Sequence, residues 1–276
     1  MSAMLVAGVA TQGFLAAHGA PGAPADRIGD QRPLRVLTYN IHHGEGTDRE
    51  FDLPRLAAIV RGLEPDLVAL QEVDQGTRRA GGVDQLAELA RLTGMHGVFG
   101  KAMDFQEGGY GVGVLSRQPV LRSENQPLPS SADREPRTAL TVEVNVGGTL
   151  VQFTSTHLDQ GRETGDKLAQ VGYLNDSLTD RLGNAAILAG DMNTRPDTEV
   201  MQLLTERWTD MFRDPSPVDI NGRIPGRVDY VLVRPGEEWR TVEARVVDAP
   251  VASDHRPVLV VLEWLGATES SSRVVQ

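Results

Sequence analysis

Short apolar segments recur along this chain, and several of them end abruptly in polar residues. The segment 185–189 reads Ala-Ala-Ile-Leu-Ala and is followed by Gly190, Asp191, Met192 and Asn193. Apolar runs of this length, bounded by turn residues, are typical of buried strands. Binding and catalytic residues collect where such strands end. The pattern therefore predicts a sheet-based fold whose polar strand ends form a functional site.

Strand-like and helix-like segments alternate in a way that predicts two packed sheets with helices outside them. Asp52 is placed to cap one helix that Pro65 stops, Gly94 ends a second helix, and the Gly147-Gly148 pair predicts a tight hairpin. The predicted strands cover 34–41, 66–72, 112–115, 119–128, 138–146, 149–156, 185–189, 227–233, 239–247 and 257–262, and the predicted helices cover 52–64, 83–92, 164–182 and a segment after Pro196.

Composition limits the kind of site that this fold can hold. The 276 residues include no cysteine, so a metal ion would need carboxylate, amide or imidazole ligands, which favours hard cations. The net charge of −11 argues against a broad surface for nucleic acid, although a local patch can still hold a phosphate. We expect one domain over 34–265 and a polar, serine-rich tail over 266–276 that frays.

The amino-terminal segment 1–33 differs from the rest of the chain. A mostly apolar stretch over 4–17 precedes Ala23-Pro-Ala25, a pattern compatible with signal-peptide cleavage. No lysine or arginine precedes Arg27, so a disordered leader fits as well as a secretory signal. The stretch is too short for a comfortable membrane span. Export to the periplasm or the exterior is slightly favoured over a cytoplasmic location.

The polar residues at the strand ends are of hydrolase type: Asn40, Glu72, His157, Asp191, Asn193, Asp229, Asp254 and His255. Individually, each has a structural alternative, because Asp and Asn commonly form turns and a single histidine is commonly structural. Asp229 lies inside the apolar run 228–233, where a buried carboxylate needs an imidazole or a metal as its partner. Carboxylates about 4 Å apart repel by roughly 4 kcal/mol at an effective dielectric of 20, which favours a bound cation.

Seven short motifs follow one another in a fixed order along the chain, at 39–41, 70–73, 109–117, 156–158, 190–193, 227–230 and 253–258. In order and spacing they resemble the motifs of the endonuclease/exonuclease/phosphatase superfamily of metal-dependent phosphoesterases, which includes deoxyribonucleases, apurinic endonucleases and sphingomyelinases. The resemblance covers about 34–265. It implies an α/β (α+β) four-layer sandwich, with two stacked mixed β-sheets flanked by helices.

The resemblance also implies roles for the matching residues. Glu72 corresponds to the principal ligand of a divalent cation, Mg²⁺ or Mn²⁺ as its substitute, with Asn40 beside it and Asp254 assisting the metal site. Asp191 corresponds to the residue that orients or deprotonates the attacking water. Together these roles imply a phosphoester hydrolase in which an activated water attacks phosphorus in line. Among such enzymes, a phosphodiesterase is favoured.

The remaining matches concern the phosphate. Asn193 corresponds to a residue that helps to hold it, and Asp229 would fix the tautomer of His255, which contacts a phosphate oxygen or shuttles a proton. His157 matches a second histidine of deoxyribonuclease-like and sphingomyelinase-like members. Secondary candidates for substrate contact are Tyr110, His42 and Arg137, and each also has a structural or solvated alternative.

Departures from the family patterns leave the substrate open. Val112 stands where deoxyribonuclease-type members have an acid that pairs with the second histidine, which puts the charge state of His157 in doubt. His42, with His43 beside it, stands where apurinic endonucleases carry an acid. We expect recognition in the segments 75–82, 104–109, 123–137 and 212–226, whose candidate arginines are Arg78, Arg79, Arg134, Arg137 and Arg223.

Two classes of function remain after this comparison. The first is a metal-dependent hydrolase, monomeric, acting on a lipid head group, a small organic phosphodiester or a nucleic acid, so that a nuclease and a sphingomyelinase-like phospholipase are both alternatives. The second is a non-catalytic binding protein with the same fold. A chain that had lost catalysis should lack Glu72, Asp191 or His255, and this one retains all three.

Overall fold

A computed structural model gives the architecture and describes residues 32–178, 185–212, 227–234 and 238–265. Two β-sheets contain the strands of this part of the chain. The strands are β1 (Leu34–Asn40), β2 (Leu67–Gln75), β3 (His96–Phe105), β4 (Gly108–Ser116), β5 (Val120–Pro127), β6 (Thr138–Val146), β7 (Thr149–His157), β8 (Ala186–Asp191), β9 (Thr209–Asp210), β10 (Asp229–Arg234), β11 (Trp239–Val246) and β12 (Val258–Trp264). The α-helices are α1 (Leu53–Leu63), α2 (Gln85–Thr93), α3 (Gly165–Tyr173) and α4 (Glu199–Thr205).

Both sheets have six strands and mixed directions. The first sheet has the order β11-β12-β1-β2-β4-β3, and the second has the order β5-β6-β7-β8-β10-β9. β1 and β2 are parallel in the first sheet, as are β7 and β8 in the second, and the other strand pairs are antiparallel. The expectation of two mixed sheets is confirmed.

Three apolar clusters separate four layers. The first lies between the sheets and includes Val36 of β1 and Phe153 of β7. The second joins the first sheet to α1 and α2 through residues such as Leu56. The third joins the second sheet to α3 and α4 through residues such as Val171 and Leu204. The helices therefore cover the outer faces of both sheets, and the predicted four-layer sandwich is confirmed.

The side-chain alternation of β1 explains how a polar residue reaches the space between the sheets. Leu37 and Tyr39 face the helices, whereas Val36 faces the second sheet. Successive side chains of a strand point to opposite faces. Asn40, an even number of residues from Val36, therefore points toward the second sheet at the carboxyl end of β1. Both faces of β1 are covered, which accounts for the apolar residues that it places on each face.

The predicted helix and hairpin signals are confirmed. The Asp52 side chain accepts a hydrogen bond from the backbone N–H of Arg55 and caps α1. Gly94 follows α2 with a φ of 71°, the left-handed conformation of a helix C-cap. β6 and β7 form an antiparallel pair across Gly147 and Gly148, both of which have positive φ.

The predicted course of the chain was wrong in the segment before and around Tyr110. Residues 96–105 form the strand β3, which was not predicted, and β4 begins at Gly108. Tyr110 is consequently a buried residue of a strand and does not belong to a glycine-rich loop. Of the segments expected to recognise the substrate, 104–109 consists of the end of β3, the turn and the start of β4. In 123–137, β5 extends to Pro127 as the strand predicted over 119–128 requires, and only 128–137 is a loop.

α3 is shorter than predicted, because the regular α-helix ends at Tyr173. The chain then forms a π-helical turn over Leu174–Leu178. The predicted end of that helix at Leu182 lies outside the described residues. The leader 1–33, except its last two residues, the tail 266–276 and Arg223 also lie outside them. Within the part of the chain that the structure describes, no helix combines the length and apolar character needed to cross a membrane.

Candidate functional site

The ends of strands from both sheets meet at one place. Asn40 ends β1, His157 ends β7 and Asp191 ends β8. In the second sheet, Asp191 pairs in register with His157 on one side and with Asp229, the first residue of β10, on the other. Three of the predicted polar residues therefore lie side by side because neighbouring strands present them at the same level.

Asn40 joins the first sheet to this row. Its amide nitrogen Nδ2 donates to Glu72 Oε1 at 3.0 Å and to Asp191 Oδ2 at 3.2 Å. Its oxygen Oδ1 accepts from the backbone N–H of His42 at 3.0 Å. The side chain is fully buried. Asn40 thus fixes the positions of two carboxylates that belong to different sheets.

Glu72 owes its orientation to an irregularity in β2. Gln71 pairs with Val112 of β4 and Val73 pairs with Gly111, so Glu72 is an extra residue in the ladder. Its φ of 58° lies in the left-handed region. A bulge of this kind redirects one side chain out of the regular alternation, and bulges are frequent beside active sites. A left-handed conformation costs a non-glycine residue about 1–2 kcal/mol, so the surrounding structure stabilises it.

Asp191, Asp229 and His255 form a compact cluster. His255 Nδ1 lies 3.0 Å from Asp229 Oδ2, and His255 Nε2 lies 3.6 Å from Asp191 Oδ2. Because a carboxylate only accepts, Nδ1 carries a proton and donates it to Asp229, which fixes the orientation of the ring. The predicted contact between Asp229 and His255 is confirmed.

The cluster has unusual protonation equilibria. Burial alone would lower the pKa of His255, but the hydrogen bond and the charge of Asp229, with Asp191 and Asp254 adding to them, raise this pKa to about 10. His255 is therefore an imidazolium at neutral pH. Burial and the charge of Asp229 raise the pKa of the Asp191 carboxyl well above its ordinary value. An acid whose pKa is raised toward neutral pH is suited to accept a proton during catalysis.

His157 has a different environment. Burial, followed by the charges of Arg137 and His255, holds the pKa of His157 well below its ordinary value, so the ring is neutral. Arg137 Nη1 lies 2.9 Å from His157 Nδ1. Since a guanidinium only donates, Nδ1 accepts and Nε2 carries the proton. Nε2 lies 2.9 Å from the amide nitrogen Nδ2 of Asn193 and 3.5 Å from Asp191 Oδ2, and of these two neighbours only the Asp191 carboxylate can accept its proton. The charge state that Val112 put in doubt is thus neutral, because of burial first and the charges of Arg137 and His255 second.

Asn193 is held next to this row by its own backbone. Its N–H donates to Asp191 Oδ1 at 2.8 Å, and its amide Nδ2 donates to the carbonyl of Leu158 at 3.0 Å. Its φ of 47° is again left-handed, a conformation that asparagine tolerates better than most residues. The structure therefore brings Asn193 together with His157 and Asp191.

Ser253 is the first residue of the motif at 253–258, and the sequence predicted no role for it. In the structure its hydroxyl connects two parts of the site. Its hydroxyl donates to the carbonyl of Asn40 at 2.8 Å and accepts from the backbone N–H of His255 at 3.2 Å. Ser253 thereby ties the His255 loop to the end of β1. A serine directly before an Asp-His pair was the available signal. Asp254 is exposed, and its place in a metal site stays a prediction.

A cavity of about 180 Å³ opens beside Glu72. Its lining includes the secondary candidates His42, Tyr110 and Arg137. Arg79 also lines it, donates to both carboxylate oxygens of Asp74 at 2.6 and 2.9 Å, and lies over the rings of Phe105 and Tyr110. Tyr110 and Arg137 are therefore next to the site, whereas Arg78 is exposed and pairs with Glu107.

The residues present fit a divalent cation. Two groups of three residues place one potential ligand atom each within 4.8 Å of one another: His42, His43 and Glu72, and Asp191, Asp229 and His255. Asp229 Oδ1 is buried and has no hydrogen-bond partner among the residues that the structure describes. Two carboxylates buried next to each other are costly unless a cation offsets their repulsion. The unpaired oxygen of Asp229 and the carboxylate of Glu72, the expected principal ligand, agree with a bound cation, whereas protonated His255 offers it no lone pair.

Gly190 allows Asp191 to reach its position. A Cβ atom on Gly190 would lie 2.0 Å from the carbonyl oxygen of Thr156 in β7. We expect Gly190→Ala to lower the free energy of unfolding by about 1–3 kcal/mol or more, because neither backbone can move without disturbing the sheet. Urea denaturation measures this change. Gly62→Ala in α1, where a Cβ meets no atom within 4 Å, is the control and should be neutral or stabilising. Equal stability of the two variants would contradict the close approach.

Comparison with known proteins agrees with the fold and the motifs. The Endonuclease/Exonuclease/phosphatase family model matches residues 37–255. The uncharacterized protein YbhP of Escherichia coli (strain K12) is 29% identical over 175 residues, which cover 59% of this chain and 68% of that protein.

Solved structures give the same result. An endonuclease/exonuclease/phosphatase from Beutenbergia cavernae is 27% identical, with a TM-score of 0.71 over 86% of this chain and 73% of that one. A mannosyl-6-phosphatase of Bacteroides thetaiotaomicron shares the fold at 18% identity, with a TM-score of 0.65 over 83% of this chain and 99% of that one. The family match extends over most of the chain and includes the strand-end residues described above, so the protein belongs to the endonuclease/exonuclease/phosphatase family.

Proposed function

We propose that this protein is a divalent-metal-dependent phosphoester hydrolase, and specifically a phosphodiesterase, that acts by in-line attack of a water molecule on phosphorus. The observation that carries the proposal is the network in which Asn40 bridges Glu72 and Asp191 while Asp191 lies beside the Asp229–His255 pair. Buried carboxylates that fit a cation, opposite a protonated imidazole, provide the charges that phosphoryl transfer requires.

Asp191 orients the attacking water and accepts its proton. Its carboxylate is held from two directions, by the backbone N–H of Asn193 and by the amide of Asn40. Its raised pKa makes it a better base at neutral pH than an ordinary aspartate. A base fixed in this way also reduces the entropy cost of bringing water and phosphate together.

His255 and His157 act on the phosphate oxygens in different protonation states. His255 is an imidazolium that offsets negative charge, and its ring is oriented by Asp229. His157 is neutral and offers the N–H of Nε2 as a hydrogen-bond donor, since Arg137 occupies Nδ1. Asn193, whose amide lies 2.9 Å from the same nitrogen, helps to hold the phosphate. A general acid that protonates the leaving oxygen contributes about 10²- to 10⁴-fold to the rate.

Glu72, with Asn40 beside it and Asp254 assisting, would hold the cation, which we propose to be Mg²⁺ with Mn²⁺ as a substitute. When bound, such a cation supplies Lewis-acid stabilisation of charge on the phosphate oxygens. For the substrate, we propose a small organic phosphodiester or a lipid head group. The net charge of −11 disfavours long nucleic acids.

The proposal is tested by assaying purified protein on an aryl phosphodiester, an aryl phosphomonoester, plasmid DNA, RNA and sphingomyelin, with Mg²⁺, Mn²⁺ or a chelator. We expect turnover of phosphodiesters with either cation and its loss in chelator. Glu72→Gln keeps the shape of the side chain and removes its charge. It should lower the Mg²⁺-dependent rate by more than about 100-fold, since even loss of a residue that only orients a ligand costs 10- to 100-fold.

Glu88→Gln is the matched control, because Glu88 lies on α2 and pairs with Arg91 away from the site. It should leave the rate unchanged. Hydrolysis that persists in chelator would exclude the metal mechanism. Turnover of the monoester alone would replace the phosphodiesterase with a phosphatase, and no turnover of any phosphoester would favour a binding protein.

A further inference from the structure

Directly after β1 the chain makes a tight turn in an uncommon conformation. φ is 45° at His42, 43° at His43 and 85° at Gly44. Side chains other than glycine seldom adopt positive φ, and two such residues in succession need support from their surroundings. Backbone strain of this kind concentrates at ligand sites and active sites. The strained conformation of this turn therefore makes it a candidate ligand site.

The conformation is held from outside the turn. The buried side chain of Gln85 on α2 donates through Nε2 to the carbonyl of His43 at 2.6 Å. The other atom of the same amide, Oε1, accepts from the backbone N–H of Asp74 at 2.8 Å. Gln85 thus connects the turn to β2, the strand that carries Glu72. The positions of the two histidines relative to Glu72 are fixed by this connection.

His42 has one nitrogen free for a ligand. Its Nδ1 lies 3.1 Å from the backbone carbonyl of Glu45. Since a carbonyl only accepts, Nδ1 carries the proton, and the lone pair of the neutral ring is on Nε2. Histidines that bind metals commonly donate their other ring N–H to a carbonyl in this manner, which fixes both the tautomer and the ring orientation.

His43 presents a complementary arrangement. Within the described part of the chain its buried Nδ1 has no hydrogen-bond partner, while its Nε2 lies 3.7 Å from the carboxylate of Glu45. A proton on Nε2 is favoured by that carboxylate and leaves the lone pair on the buried Nδ1. The rings of His42 and His43 are adjacent, with centroids 4.4 Å apart. Both imidazoles therefore have an unused lone pair within one small region.

We propose that His42, His43 and Glu72 form a binding site for a transition-metal cation of the Mn²⁺, Co²⁺ or Zn²⁺ class, next to the Mg²⁺ site and sharing Glu72 with it. One potential ligand atom of each residue lies within 4.8 Å of the others. Imidazole nitrogen suits these cations, whereas Mg²⁺ prefers oxygen. The proposal rests on the proposed function only through Glu72.

The charges around the turn favour a cation over a phosphate group at the same place. Glu72 belongs to the group, and the Glu45 carboxylate is next to His43. The nearby cation Arg79 is already paired with Asp74 through two hydrogen bonds. An anion would be repelled by the carboxylates of Glu72 and Glu45, while a cation would be attracted by both and would meet two imidazole lone pairs.

Co²⁺ is a suitable probe because its visible absorption changes when it binds imidazole. Protein freed of metal is dialysed against Co²⁺ in a large excess of Mg²⁺, and bound cobalt and absorbance are measured together. We expect the wild type to retain Co²⁺ under these conditions. The double variant His42→Asn, His43→Asn should bind it at least about 100-fold more weakly, since loss of two ligands exceeds loss of a supporting contact.

Asparagine is chosen because it tolerates positive φ, so the turn can keep its conformation. Circular dichroism checks that the variant is folded, and electron paramagnetic resonance of the wild type with Cu²⁺ reports imidazole coordination without any substitution. Asp191→Asn, which alters the other acidic group, is the control and should retain Co²⁺. Loss of Co²⁺ in Asp191→Asn but not in the double variant would overturn the proposal, as would a wild type that retains none. Phosphoester turnover with Mg²⁺ on the same samples tests the proposed function separately.

Discussion

Replacing His255 with alanine is expected to lower the turnover number by about 10²- to 10⁴-fold, the range that a positioned acid or base contributes. The wild-type ring is held by Asp229 at 3.0 Å and is protonated at neutral pH, because its pKa is raised to about 10. Alanine removes both the positive charge and the N–H donors. Initial rates on an aryl phosphodiester with Mg²⁺ measure the effect. His96→Ala is the control, because His96 is exposed at the start of β3 and pairs with Ser116, at the far end of β4 from the site.

The isosteric change Asp229→Asn tests the cause of the effect. Asparagine can still accept the hydrogen bond from Nδ1 but lacks the charge that raises the pKa of His255. The charged form of His255 should therefore be lost at a lower pH than in the wild type. We expect the alkaline limb of the rate profile to move from near pH 10 to lower pH. An unchanged limb in Asp229→Asn, or an undiminished rate in His255→Ala, would refute the role of this pair.

The strand-end residues could be placed from sequence because a strand alternates its faces and ends at definite residues. Asp191 follows a short apolar run, so the sequence alone predicted its position at the end of a strand, β8. The motif order then located His157 and Asp229, which the register of β7, β8 and β10 puts beside Asp191. Burial alone indicated that Asp229 needs an imidazole or a metal as its partner, and the family resemblance identified His255 as that partner.

β3 could not be predicted because it is an edge strand with little apolar patterning. Most of its side chains are exposed or half-buried, so no period of two appears in the sequence. Its hairpin to β4 turns at Gln106 and Glu107, which both adopt positive φ without being glycine or asparagine. The usual composition of such a turn is absent, and the cross-strand pairing alone determines the hairpin.

Two further features of the site depend on long-range contacts and could not be predicted from the sequence. The bulge that orients Glu72 depends on the register between β2 and β4, and Gln71 and Val73 give no local sign of it. Arg137 lies 20 residues from His157 in the chain, and only the pairing of β6 with β7 brings them together. Burial and this contact together keep His157 neutral, and the contact places the proton of the ring on Nε2.

Asp191→Asn should separate catalysis from stability. The rate is expected to fall by about 10²- to 10⁴-fold, since the amide cannot accept a proton from water. In the absence of metal, the same substitution should reduce the loss of stability that the wild type undergoes at high pH. Burial and Asp229 raise the pKa of Asp191 above its unfolded value, so the stability associated with the protonated form is present at low pH and is lost as the pH rises through the folded-state pKa.

Thermal unfolding in chelator at pH 5 and pH 8 measures this loss. The melting temperature of the wild type should fall more between pH 5 and pH 8 than that of Asp191→Asn, because the asparagine side chain does not ionise. Each 1 kcal/mol corresponds to about 2–4 °C for a domain of this size. Saturating Mg²⁺ should remove most of the difference, because a cation offsets the repulsion between Asp191 and Asp229. Equal pH dependence of the two proteins in chelator would show that Asp191 is not the group whose ionisation destabilises the site.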